Sequence, residues 1–199
     1  MIIAFEGIDG SGKRTQAELL LRYLRGKGIE TELLSFPDYD NPVGKLISRY
    51  LKKEHELDVR VLFLLHTADR VAGMSKIEKS LGDGKTIILD RWFNSALAYQ
   101  CAEGFPLKDA LKIAEVLKIR KPDVVLYLRI SPETSIKRKS RQKTLDRNEE
   151  NLSLLRRVSQ FYERLARENI FGKWFVLDGE KSVEEVFEQV KRVVNMVVP

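Results

Sequence analysis

The residues from Gly7 to Lys13, inside FEGIDGSGKRTQ (5–16), are the first in this chain whose types and spacing could do chemistry. Gly7, Gly12 and Lys13 satisfy G-x-x-x-x-G-K-[ST] up to its last position, where Arg14 stands ahead of Thr15. Glycines at 7, 10 and 12 permit backbone turns and close approaches that a side chain would block. The N–H groups of Gly7, Ile8, Asp9, Gly10, Ser11 and Gly12 can then ring an anion, helped by the dipole of a following helix. Lys13 adds a point charge, which is unfavourable at a helix N-terminus unless an anion balances it. The chemistry is a grip on a phosphate chain, with ATP as the expected occupant.

Arg14 departs from that pattern. The position normally gives a hydroxyl to Mg²⁺, and a guanidinium has no lone pair to offer a cation. Three outcomes stay open: Thr15 takes over, the metal keeps an extra water, or Arg14 itself neutralises phosphate charge. Mg²⁺ dehydrates reluctantly and is held largely by nucleotide oxygens and water, so the second is favoured and metal binding is weakened rather than abolished.

Other residues could face the phosphates. Asp90 and Arg91 close the apolar run TIILD (86–90). Arg91 suits a phosphate as a fork, and Asp90 suits Mg²⁺ held through water. His66 and Arg70 lie one helical turn apart, as do Ser95 and Tyr99, with Gln100 next in line. Arg138 and Arg141 are three apart within the basic KRKSRQKTLDR (137–147). Transfer between two phosphates needs positioning and charge neutralisation more than an acid or base. The two histidines, His55 and His66, and the single cysteine, Cys101, cannot form a zinc cluster.

These residues need a scaffold. Apolar, β-branched runs at 1–6, 86–90 and 123–130 read as buried parallel strands, with shorter candidates at 30–36 and 173–179. Amphipathic stretches between them (13–27, 43–53, 58–81, 93–103, 107–119, 132–142, 149–168 and 182–196) read as helices. The alternation predicts an α/β fold: a parallel sheet of about five strands, three layers deep, with helices on both faces. Ligands of such sheets gather at the carboxyl ends of the strands, where Gly7, Pro37 and Asp90-Arg91 fall. The 199 residues contain no linker or repeat, so a single domain over 1–199 is expected, with a mobile lid at about 137–148.

Composition sets the outer limits. Hydrophobic residues at 43% and charged residues at 32% fit a soluble globular chain. No segment approaches the roughly 20 apolar residues of a membrane helix, and no signal peptide opens the chain. With its lone cysteine, a cytoplasmic location is the default. The net charge of +6 suits polyanionic partners. Nothing like an RNA-recognition or helix-turn-helix signature supports nucleic acid as one.

Five pieces in order, FEGIDGSGKRTQ, FPDYDNPVGKLI (36–47), HTADR (66–70), DRWFNSALAYQ (90–100) and KRKSRQKTLDR, together resemble the thymidylate kinase family nearly end to end. The resemblance implies the P-loop nucleoside monophosphate kinase fold, transfer of the γ-phosphoryl group of ATP to dTMP with Mg²⁺, and a homodimer. By resemblance, Asp9 faces the deoxyribose 3′-hydroxyl, Arg91 the acceptor phosphate and Arg70 a thymine carbonyl. His66 stacks on the base in place of the usual phenylalanine. Phe36 and Pro37 line the base pocket, while Ser95, Tyr99 and Gln100 lie near base and sugar. Tyr39 replaces an arginine that the family often directs at the acceptor phosphate. Gly10 places the chain with the members that carry catalytic cations in the lid, so Lys13, Arg91, Arg138 and Arg141 form the expected catalytic set. Alternatives remain: a kinase of broader acceptor range that takes dUMP, a deoxynucleoside kinase with Asp38 as base, or a nucleotide-binding regulator with weakened catalysis.

Overall fold

A computed structural model describes residues 1–140 and 146–197. Arg141 and Lys143, expected in the lid, lie outside the described residues. The chain runs β1 (Ile2–Glu6), α1 (Lys13–Gly26), β2 (Thr31–Ser35), α2 (Pro42–Leu51), α3 (Val59–Gly82), β3 (Thr86–Asp90) and α4 (Phe93–Ala102). It continues with α5 (Leu107–Val116), β4 (Val124–Arg129), α6 (Pro132–Ser140), α7 (Leu152–Arg167), β5 (Trp174–Asp178) and α8 (Val183–Val197).

The strands form one parallel sheet in the order β2-β3-β1-β4-β5. Its β1 is central and apolar on both sides, with all five residues buried. Alternate residues feed two separate cores. Ile3, Phe5, Ile88 and Leu126 pack against Leu20 and Leu24 of α1 and Val190 and Val194 of α8. Ile2, Ala4, Ile87, Leu89 and Val125 pack against Phe63 of α3, Phe93 and Leu97 of α4 and Val158 and Leu165 of α7. This period of two is what a strand buried on both faces requires. The connection from β1 to β2 leaves one side of β1 and β4 joins on the other, so the topology switches at β1 and opens a crevice at its carboxyl end.

The helix starts explain where backbone donors remain free. Asn41 caps α2 by accepting the Gly44 N–H at 2.8 Å, and Asn151 caps α7 by accepting the Leu154 N–H at 2.9 Å. By contrast, α1 starts after Gly12 with no side-chain cap and no acidic residue in its first turn. Its first N–H groups therefore have no side-chain acceptor at the cap position.

Two predicted helices shorten. The stretch predicted at 107–119 ends at Val116, and Lys118 then turns the chain with φ +53°. The stretch predicted at 149–168 starts at Leu152. Ahead of it the Asp146 carboxylate accepts the Asn148 and Glu149 N–H groups at 3.0 Å each and winds a turn. No helix among the described residues is long and apolar enough to cross a membrane.

Candidate active site

The loop between β1 and α1 is held by close backbone approaches. A Cβ on Gly7 (φ +142°) would lie 2.7 Å from the Leu128 carbonyl of β4. One on Gly10 (φ +75°) would lie 3.0 Å from the Ser135 carbonyl of α6. Ser135 also donates its hydroxyl to the Asp9 carbonyl at 2.6 Å, which fastens α6 to the loop. Lys13 is 6% exposed, and its ammonium donates to the Ile8 carbonyl at 2.9 Å. Burial, and then the charge of Arg91, push its pKa from 10.5 to about 8 against the pull of Asp9, Asp90 and Glu6. Gly12, Lys13, Arg14 and Thr15 line a cavity of about 390 Å³ beside the loop, together with Asp90. Arg14 turns outward, 80% exposed, and pairs with Glu18 one turn along at 3.0 Å.

A second, smaller cavity of about 80 Å³ adjoins the first. It gathers Asp9, Pro37, His66, Arg70, Arg91, Ser95, Tyr99 and Gln100, which come from the loop, the end of β2, α3, the end of β3 and α4. Phe36 stands behind this wall, 6% exposed, with its ring edge-on to Trp92 at 5.0 Å and under the Arg70 guanidinium at 5.7 Å. Gly73 makes room for that ring, because a Cβ there would meet the Phe36 Cζ at 2.5 Å. Tyr39 contributes to the outer wall and is 48% exposed.

Asp9 and Arg91 border both cavities. The Arg91 Nη2 donates to the Asp9 Oδ1 at 2.7 Å, and its Nη1 donates to the Gly7 carbonyl at 3.2 Å and to the Ser95 Oγ at 3.0 Å. Tyr99 donates to the other Asp9 oxygen at 3.1 Å. Burial alone would raise the Asp9 pKa, but Arg91, then Lys13 and Lys139, outweigh it and hold the carboxyl well below its usual range. Arg91 sits in the left-handed region at φ +66°, which costs about 1–3 kcal/mol for a bulky residue. His66 accepts a hydrogen bond from the Arg70 Nη1 through Nδ1 at 3.0 Å, since a guanidinium can only donate. Burial, then Arg70 and Arg91, push the imidazole pKa well down, so the ring is neutral.

At the end of α6 the cations divide. Arg138 donates to the carbonyls of Gly10 at 3.2 Å and Gly179 at 3.0 Å, and so braces a third cavity formed with Gln16, Ser182 and Val183. Lys139, one residue on, reaches the phosphate-loop cavity, with its ammonium 2.6 Å from the buried Glu149 carboxylate. Arg147 is committed elsewhere. It pairs with Glu56 at 2.8 Å and covers the Tyr50 ring at 4.5 Å, at the end of α2.

Sequence reasoning missed Glu6, Asp69, Lys139 and Asp146. Asp69 is fully buried and accepts from the Asp38 N–H at 3.1 Å, the Asn41 amide at 2.9 Å and Arg70 at 3.2 Å. Its adjacency to Arg70 within HTADR was the available signal. Glu6 and Lys139 carried only weak ones: a lone carboxylate closing an apolar strand, and one cation among several.

Fold and site together define a P-loop phosphotransferase with two adjoining cavities at the carboxyl ends of its strands. The family profile described as thymidylate kinase matches residues 5–190. The chain is 36% identical to an Arabidopsis thaliana thymidylate kinase over 97% of its own length and 70% of that protein. It is 33% identical to a probable thymidylate kinase of Pyrococcus horikoshii, over 97% of its own length and 95% of that protein. A human thymidylate kinase is 32% identical, over 96% and 87%. This chain belongs to the thymidylate kinase family.

Proposed function

We propose that this enzyme transfers the γ-phosphoryl group of ATP to dTMP, giving ADP and dTDP, with ATP on the glycine loop and dTMP in the smaller cavity. The observation that carries this arrangement is the Asp9–Arg91 pair, which separates the two cavities and belongs to both. The uncapped start of α1 and Lys13 receive the triphosphate. Arg91 offers its guanidinium to the acceptor phosphate, Asp9 and Tyr99 meet the sugar, and Arg70 and Gln100 meet the base against His66, Pro37 and Phe36. Support for a base partner comes from two buried atoms without a hydrogen-bond partner among the described residues, the Arg70 Nε and the Gln100 Oε1.

Lys139 is proposed as the lid cation of the transfer site because it lines the loop cavity, and Arg138 supports the nucleotide side of the loop. Arg141 is proposed in the same lid by resemblance alone. The Asp90 carboxylate faces the loop cavity beside Thr15. One carboxylate and one hydroxyl fit an Mg²⁺ carried in largely by nucleotide oxygens and water. When bound, the ion adds charge neutralisation at the phosphates. Lys13, Arg91, Lys139 and such an ion would supply positive charge against the negative charge that accumulates during transfer, which is the main demand of this reaction.

A homodimer through α3 is proposed on the exposed apolar side chains of Val61, Leu64 and Val71, with Leu62 committed to the core. A cytoplasmic location fits the single, buried cysteine. The test of function is ADP release from ATP with dTMP, dUMP, UMP, dCMP or AMP as acceptor, with and without Mg²⁺. The expected result is Mg²⁺-dependent turnover that is fastest with dTMP. Absence of acceptor-dependent turnover would refute the proposal.

A further inference from the structure

Glu6 closes the central strand with its carboxylate fully buried, and its three partners are all uncharged donors. Its Oε1 accepts the Trp92 N–H at 2.7 Å. Its Oε2 accepts the Ser95 hydroxyl at 2.6 Å and the Tyr162 hydroxyl at 2.9 Å. Burial raises the carboxyl pKa in spite of these bonds. A strand end in this core is an expensive place for a carboxylate, and the cost is offset by the three buried donors it satisfies.

What Glu6 grips converges on one residue. Trp92 follows Arg91 directly, and Arg91 has the left-handed φ of +66°. The Arg91 N–H is itself bonded to the Phe5 carbonyl at 3.0 Å, so this strained backbone is pinned on both sides by neighbouring residues of β1. The side chain is reached by a second route, because the Arg91 Nη1 donates to the same Ser95 Oγ that bonds Glu6. Ser95 has one hydroxyl hydrogen, which stays within the buried group of Glu6 and Tyr162 whichever of the hydroxyls donates to the other. Its oxygen faces Arg91. Ser95 therefore has no donor left for a base.

We infer that Glu6 is a positioning residue for acceptor binding, with Ser95 as its link to the Arg91 guanidinium rather than a reader of the base. The inference rests on the proposed role of Arg91 at the acceptor phosphate. Without the anchor, the guanidinium keeps its partner in Asp9 but loses its fixed direction toward the smaller cavity.

The test is calorimetric titration of dTMP, and separately of ADP, into Glu6→Gln, Ser95→Ala, the double variant and Arg91→Ala. In both single variants the dTMP Kd should rise about tenfold while the ADP Kd stays within twofold. The double variant should be no weaker than the worse single, because both cuts fall on one chain of contacts. Ser95→Ala reads the link even if Glu6→Gln does not fold. An unchanged dTMP Kd in Ser95→Ala overturns the inference, as do effects that multiply in the double variant. So does equal weakening of both ligands, the mark of a merely structural role. If Arg91→Ala itself leaves the dTMP Kd unchanged, the assignment of Arg91 fails instead.

Discussion

Replacing Gly73 by alanine sets helix propensity against the proposed acceptor pocket. Gly73 lies inside α3, where alanine is favoured by about 1 kcal/mol. The new Cβ would sit 2.5 Å from the Phe36 Cζ and 2.6 Å from its Cε1, well inside contact distance. Phe36 has little room to retreat, being 6% exposed and wedged against Trp92. Overpacking of this kind costs about 1–3 kcal/mol, so the net effect is a loss of about 0–2 kcal/mol. For a chain of this size that lowers Tm by up to about 8 °C. The ring also lies under the buried Arg70 guanidinium, a contact worth about 0.5–2 kcal/mol. Displacing it should weaken dTMP by roughly 2–30-fold, with the ATP KM within about twofold of the parent. Coupled ADP-release kinetics and thermal melts read both quantities. A rise in Tm together with an unchanged dTMP KM would refute the reasoning, because propensity would have won and Phe36 would not be fixed.

Other outcomes follow from the same geometry. Lys139→Met should lower kcat about 100-fold with little change in the ATP KM, whereas Arg138→Ala should raise the ATP KM more than it lowers kcat; steady-state kinetics separate the two. Arg14→Thr breaks only an exposed pair, so Tm should move by less than about 2 °C, while titration of turnover with Mg²⁺ should give a several-fold lower half-saturation. The free-enzyme Lys13, with its pKa lowered from 10.5 to about 8, is charged at neutral pH at a cost to folding of about 3 kcal/mol. That cost is present below about pH 8 and is relieved as pH rises toward 10.5. Lys13→Met should therefore stabilise the free enzyme at pH 7, read by denaturant melts, although it removes activity. Bound phosphate restores the charged form, so ATP binding should take up a proton near pH 8 and weaken above it, as calorimetry in buffers of different ionisation enthalpy would register.

The fold was legible because its signals are local. Apolar, β-branched runs marked all five strands within a residue or so, and amphipathic stretches marked every helix now seen among the described residues. The ends of α5 and α7 were not, since Lys118 turns by its backbone and Asp146 by a side-chain bond. In the site, Gly7, Lys13, Arg70, Arg91 and Tyr99 stood out by motif and spacing. The partnerships of Glu6 with Ser95 and Asp69 with Asn41 did not, because each joins elements far apart in the chain. Arg138 and Lys139 illustrate the limit most sharply. They are adjacent, both basic and on one helix, yet they serve different cavities, and only the helix's rotation against the loop separates them.

The salt-bridged partition between the cavities has a geometric consequence. Its two members are rooted at the tips of neighbouring strands whose backbones are locked in register, Phe5 opposite Asp90. In the proposed arrangement, the gap across which a phosphoryl group must jump is thus measured out by the sheet itself, as on a ruler. Slipping β3 against β1 by a single residue would misplace the far mark and exchange the two cores its side chains feed.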